Sequence, residues 1–174
     1  IITIVLSFIC LKTFSQDIKF KAEKIDIENN GNNLIAINSE TVIPEKNLEI
    51  KSEKVNYKKK EEILIFTKNV LFEDKINNLS VQSEKIKYEK LDDIIFSEGD
   101  TILDIKNKYN VESKNVYIDR NKQIIYGSDK TTIIDNEDNI IQLLDGFMFN
   151  INDEIIKSKN AFILDKNENK YLFE

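Results

Sequence analysis

Apolar and polar residues alternate along most of the chain with a period of two, and the alternation slips by one residue at a recurring place. Leu79, Val81 and Ser83 share one parity, whereas Ile86 and Tyr88 share the other; Leu48, Ile50 and Ser52 give way in the same manner to Val55 and Tyr57, and Tyr109, Val111 and Ser113 to Val116 and Ile118. A period of two marks strands with one buried face, because successive side chains on a strand point to opposite sides. Keeping both halves of such a strand apolar on the same side requires one extra residue. A bulge or bend is therefore predicted at the Glu-Lys step, with a small Ala or Ser just before it leaving room for a tight corner.

The slip belongs to a repeat. Ala22-Glu-Lys-Ile25, Ser52-Glu-Lys-Val55, Ser83-Glu-Lys-Ile86, Ser113-Lys-Asn-Val116 and Ser158-Lys-Asn-Ala161 recur at intervals of 30, 31, 30 and 45 residues. Periods of this size mark a supersecondary unit whose copies stack to share one core. The last interval is longer by about one strand pair, which fits Ile140 to Ile151.

Ser83 to Lys90 is rich in good helix formers, but the punctuation favours strands. Polar clusters follow each copy at Glu28–Asn33, Lys58–Glu62, Glu89–Asp93, Asp119–Gln123 and Asp165–Lys170, and read as hairpin turns. Second strands are predicted at Leu34–Ile43, Ile63–Phe72, Ile94–Leu103 and Ile124–Ile134, with turns at Glu73–Asn78, Asp104–Lys108 and Asp135–Asn139 leading into the next copy. The expected architecture is all-β, with about eleven antiparallel strands built from repeated hairpins into two facing sheets or a flattened barrel.

Composition narrows the chemistry. The 174 residues suit one folded domain, and 41% hydrophobic content is enough for a core. The net charge of −6 is scattered, and Arg120 is the sole arginine, so no basic stripe for nucleic acid is present. Ile1 to Leu11 is an apolar run followed by Lys12 and the small-x-small step Thr13-Phe14-Ser15, which reads as a signal peptide over residues 1–15 lacking its charged start, with the mature chain beginning near Gln16. The alternative for this segment is an N-terminal anchor, although the run is short for a membrane span. Cys10 falls inside it, and Ile9 before it does not suit lipidation. With no other cysteine and no histidine, disulfides, zinc sites and Cys/His nucleophiles are excluded from the mature chain. The carboxylate pairs Glu61–Glu62 and Asp92–Asp93 fall in predicted turns and read as solvated charges, so no catalytic residue, metal site or cofactor is expected.

The repeated form apolar-x-(Ala/Ser)-(Asp/Glu)-x-Val-x-Tyr, followed by a polar turn and by strands such as Ile65-Phe-Thr-Lys-Asn-Val70 and Ile95-Phe-Ser-Glu-Gly-Asp-Thr101, resembles the organic-solvent-tolerance (OstA-like, LptA-like) domain family over nearly all of Phe20 to Glu174. That family includes the periplasmic lipopolysaccharide-transport bridge protein and the N-terminal periplasmic domain of the outer-membrane lipopolysaccharide-assembly protein. The chain departs from the family in having Lys68 where a glycine usually precedes Asn-Val, and in the poorly matching Ser39–Pro44. Gln142–Asn150 resembles the longer spacing of the assembly protein's domain, and the run Lys170–Glu174 stops mid-strand, so the domain over 16–174 is expected to continue, with an outer-membrane barrel beyond it.

The resemblance implies a β-jellyroll, open along one side like a folded taco, that carries lipid A acyl chains between its sheets in the periplasm. The candidate groove residues are Ile25, Ile27, Ile50, Val55, Tyr57, Val70, Phe72, Val81, Ile86, Tyr88, Val111, Val116 and Ile118; as apolar strand positions they would equally serve as plain core. Lys54, Lys85 and Lys114 in the repeated corner would draw lipid A phosphates if they stood at the groove rim, but solvated turn lysines are the commoner explanation and no binding site is assigned to them. The edge strand Phe20 to Ile27, with Phe20, Ala22, Ile25 and Ile27, is the candidate contact for other β-jellyroll proteins of a transport bridge by strand addition. A structural or adhesin-like β-repeat and a carbohydrate-processing enzyme are the readings from other classes; the latter needs convergent inward acids, and the acids here fall mostly in turns.

Overall fold

The computed structural model describes residues 18–167 and 169–173; the segment read as a signal peptide, with Cys10, lies outside the described residues. Fifteen antiparallel strands form one continuous sheet: β1 (Lys19–Glu28), β2 (Asn33–Ile43), β3 (Leu48–Lys58), β4 (Ile63–Asp74), β5 (Leu79–Glu89), β6 (Ile94–Ile105), β7 (Tyr109–Lys114), β8 (Tyr117–Asp119), β9 (Ile124–Gly127), β10 (Thr131–Asp135), β11 (Ile140–Leu143), β12 (Phe147–Asn150), β13 (Ile155–Lys157), β14 (Ala161–Leu164) and β15 (Lys170–Phe173). Single 3₁₀ turns at Asn29–Gly31 and Pro44–Lys46 join the first three strands. No helix among the described residues is long and apolar enough to cross a membrane.

The sheet is folded along the row where the alternation slips. In a flat sheet Tyr88 would lie roughly 23 Å along the strand from Val81, the cross-strand partner of Phe72. Instead the rings of Phe72 and Tyr88 meet edge to face with centroids 6.0 Å apart. Phe20 and Tyr57, at 6.1 Å, and Tyr109 and Phe149, at 5.5 Å, likewise join opposite halves of the sheet. One layer therefore holds the halves bearing Ile50, Phe72, Val81, Leu103 and Val111, and the other those bearing Val55, Phe66, Ile86, Tyr88 and Ile118; both contribute to one buried core. The fold is an antiparallel β-jellyroll whose two facing sheets are layers of a single folded one, open at its edge strands.

The corners fall at the predicted step. Pairing shifts between Lys51 and Lys54 in β3 and between Ser83 and Lys85 in β5. The left-handed residues that turn the backbone, however, sit largely on the opposing strands: Asn38, Lys68 with Asn69, and Gly99. Lys68 holds φ 66° and Gly99 φ 84°, so Lys68 stands at a position where a glycine would relieve strain. Small hydroxyl residues line the inside of the fold. Ser83 Oγ donates to the carbonyls of Glu98 and Asp100 at 3.2 and 3.1 Å, while Ser97 pairs with Thr101 and Ser113 with Thr131, each at 2.7 Å. Ser83 thus engages backbone carbonyls at the bend, while the other two pairs satisfy hydroxyl with hydroxyl.

Past β6 the corner breaks the strands outright. β7 with β8, β9 with β10, β11 with β12, and β13 with β14 are halves of four bent ribbons, so the fifteen strands make eleven ribbons in agreement with the expected count. The predicted strand Ile124–Ile134 is one such ribbon, interrupted at Ser128–Lys130. The interval of 45 residues corrects the repeat. It spans three ribbons instead of two, so the fifth copy, around Ser158, runs opposite to the other four, and Ile140–Asn150 is one ordinary ribbon and not an added pair. The physical unit is the single bent ribbon.

Candidate functional site

Folding the sheet along its corners creates a closed spine on one side and, on the other, two lips made by the turns. Within each layer the turns are stitched by backbone bonds, such as Lys75 N to Asn47 O at 3.1 Å in one and Arg120 N to Asp93 O at 3.2 Å in the other. Between the lips lies the interior that sequence assigns to a groove.

Eleven of the thirteen candidate groove residues are buried in the common core: Ile50, Val55, Tyr57, Val70, Phe72, Val81, Ile86, Tyr88, Val111, Val116 and Ile118. They pack on one another across the two layers. Ile25 and Ile27 differ, being 44% and 68% exposed on β1, although their cross-strand neighbours Ala36 and Leu34 lie on the interior side. Phe20 and Ala22 on the same strand are half-buried against the core. β1 pairs only with β2, so its outer backbone edge is unpaired among the described residues.

The three corner lysines do not lie at the rim. Lys85 and Lys114 lie on the outer side of the spine, where they pair with Glu98 and Asp100, and Lys54 occupies the equivalent corner of β3. The reason is geometric: the repeated Glu-Lys step is the bend itself, and the bend is the closed side of the fold.

The lips carry the charges that sequence reading left in solvated turns. Arg120 is 5% exposed and Asp93 6%. Arg120 Nε and Nη2 donate to Asp74 Oδ2 and Oδ1 at 2.7 and 3.2 Å, Nη1 donates to Asp93 Oδ1 at 2.7 Å, and Nη2 also reaches the Lys46 carbonyl at 3.0 Å. Lys46 Nζ and the Tyr88 hydroxyl each donate to Asp93 at 2.8 Å. Burial pushes the Asp93 carboxyl up, but the bonds from Lys46, Arg120 and Tyr88 outweigh it and hold the group below the usual carboxylate range. Burial and the bond to Asp93 both push the Tyr88 phenol up. On neighbouring ribbons Lys90 donates to Glu62 at 2.8 Å, the Tyr57 hydroxyl donates to Glu62 at 3.2 Å, and Glu154 takes Lys106 and Lys108 from the other lip.

A sequence signal for this cluster existed. Continuing the inward parity one step past each strand leads from Phe72 to Asp74, from Ile95 to Asp93 and from Ile118 to Arg120. A sole arginine in a lysine-rich chain also fits a site that needs a planar, bidentate donor. The cluster is ionic and saturated: Arg120, Lys46 and the Tyr88 hydroxyl all donate to the two carboxylates and tie the lips together. Among the described residues no group of three or more His, Cys, Asp or Glu side chains is placed to hold a metal ion.

No family model matches the chain, and no curated protein matches it in sequence. Among solved structures it is similar to LptH, the LptA-homologous periplasmic component of the lipopolysaccharide transport device of Pseudomonas aeruginosa, at 11% identity over 82% of each chain with a TM-score of 0.36.

Proposed function

We propose that this chain is a periplasmic lipid-transport module that takes the acyl chains of lipopolysaccharide between the two layers of its folded sheet and joins similar modules through its edge strands. The observation that carries the reading is the unbroken apolar interior. It runs from Phe20 and Tyr57, through Phe72 and Tyr88, to Tyr109 and Phe149, and at the β1 edge it reaches solvent at Ile25 and Ile27. Acyl methylenes gain about 0.8 kcal/mol each on leaving water, so a lining of this kind holds a fatty chain without any polar site. The unpaired outer edge of β1, with Phe20, Ala22, Ile25 and Ile27, is the surface offered to a neighbouring sheet by strand addition.

Of the two members of the resembled family, the free bridge module fits as well as the domain of the outer-membrane assembly protein. Gln142–Asn150, the stretch that resembles the longer spacing of the assembly protein's domain, lies within a ribbon of ordinary length. A structural β-repeat is the competing reading, favoured by the dense packing of the eleven buried candidates. Mass spectrometry of an organic extract of the purified protein separates the two. Lipid A species are expected in the extract; their absence, together with failure of added lipopolysaccharide to displace an apolar dye, would reject transport.

A further inference from the structure

We propose that the Arg120 cluster is a latch, which holds the lips of the folded sheet shut and releases as a unit, so that the middle of the interior is reached by parting the lips and not through a standing opening. Arg120 and Asp93 belong to one lip, Asp74 and Lys46 to the other, and the bonds from Arg120 to Asp74 and to the Lys46 carbonyl, with the bond from Lys46 to Asp93, all cross between them. The spine needs no such ties because the backbone itself is continuous there. At the lips the backbone bonds run within each layer, and side chains alone make the crossing.

The chemistry of the crossing suits reversible closure. Arg–carboxylate bonds are strong and directional while dry, but each partner is well solvated once separated, so opening replaces them with water instead of exposing bare apolar surface at the seam. Phe72 and Tyr88 lie directly behind the cluster, and their contact also spans the layers. At the β1 edge, by contrast, no ion pair crosses between the lips among the described residues, and it is there that interior-side residues are exposed. Parting of the layers therefore starts from β1 and is checked at Arg120. The inference rests on the transport reading only for what the opening admits.

The test measures the opening without lipid, by native-state hydrogen exchange of the full chain and uptake of the apolar dye N-phenyl-1-naphthylamine. Two variants are compared with the parent: Lys46→Met, which removes one partly exposed crossing bond, and Arg120→Met, which removes the centre of the cluster. In Lys46→Met, exchange over residues 44–47, 74–78, 90–93 and 119–122 is expected to rise about tenfold while the corners around Ser83 and Ser97 stay within about twofold of the parent, as for a local opening; dye uptake rises in step. Arg120→Met gives the larger effect, and if it fails to fold, Lys46→Met alone decides. Equal acceleration at lips and corners, or no change at the lips, overturns the latch. Selective opening in a protein that yields no lipid would reject the transport reading and leave the latch standing, whereas lipid in a protein whose lips do not respond would do the reverse.

Discussion

Arg120 Nε donates a 2.7 Å hydrogen bond to Asp74 Oδ2 with both side chains buried, so that the residue following β8 is bonded to the last residue of β4 across the mouth of the folded sheet. Taking either partner away strands a charge in a dry setting. Arg120→Ala or Asp74→Ala is expected to cost about 3–5 kcal/mol of unfolding free energy, measured by urea denaturation. Replacing the three charges together, as Asp74→Leu, Asp93→Leu and Arg120→Met, leaves no fully buried charge unpaired, although the Tyr88 hydroxyl, Lys46 Nζ and the Asn77 amides lose their acceptors, and is expected to cost less than either single change. A triple variant as unstable as the single ones would show that the charges do more than compensate one another.

The same cluster sets an acid limit. The folded-state pKa of Asp93 is depressed, and such a group contributes stability that is present above its unfolded value, about 3.9, and lost as pH falls through the folded value. Unfolding free energy is expected to hold from about pH 7 down to pH 5 and to drop below about pH 4. The Asp93→Asn variant, less stable at neutral pH, should lose less over that acid range; an identical slope would remove Asp93 from the account.

Two tyrosines set an alkaline limit. Burial first, and then the charge of Glu62 and the bond to it, push the Tyr57 phenol up to about 12; Tyr88 is pushed up by burial and by Asp93. A raised folded-state value contributes stability that is full below the unfolded value of about 10 and is lost as pH rises through the folded one. Phenolate absorbance is expected to report these two groups ionising only as the fold is lost, and the Tyr57→Phe, Tyr88→Phe double variant should show a flatter alkaline decline.

The corners give a prediction in both directions. Lys68 holds φ 66°, and its pairing with Glu53 at 3.7 Å is solvent-exposed and worth little. Relief of left-handed strain, about 1–2 kcal/mol, exceeds the entropy cost of a glycine, about 0.5–1, so Lys68→Gly is expected to stabilise by about 0.5–1 kcal/mol. At Gly99 an added Cβ meets nothing within 4 Å, so Gly99→Ala carries only the backbone term of about 1–2 kcal/mol. At Gly146 the same atom would lie 2.5 Å from the Gly127 carbonyl oxygen, and Gly146→Ala is expected to cost at least about 1–3 kcal/mol more than Gly99→Ala. Thermal melts of the three variants check the order.

Much of this fold is written in alternation and turn chemistry. The period of two places Val81 and Tyr88 inward, the slip between them places the corner, and clusters such as Lys58–Glu62 mark the lips. Those are local signals, carried by residues near one another in the chain. The misreadings came where meaning depends on how the sheet folds. Lys85 looks the same at a rim as at a spine until the side on which the strand bends is known. Ser158 matches the motif but lies in a ribbon of the opposite direction, because a four-residue string carries no strand polarity. Asp93 and Arg120 sit in turns by composition, yet parity continues the interior face through them, and their partner Asp74 comes from a distant ribbon. Whether Ile86 and Tyr88 meet fatty chains or only each other is not encoded in their apolarity, which serves both ends equally.

Photo-crosslinking reads that last point residue by residue. A photoreactive amino acid is placed at Ile86, whose side chain is fully buried between the layers, and in a second protein at Lys87, whose side chain faces outward from the same strand. Both are irradiated with lipopolysaccharide present. If acyl chains pass between the layers, the adduct forms at position 86 and not at 87. Adducts of equal yield at both positions, or at 87 alone, would contradict a lipid held inside the folded sheet.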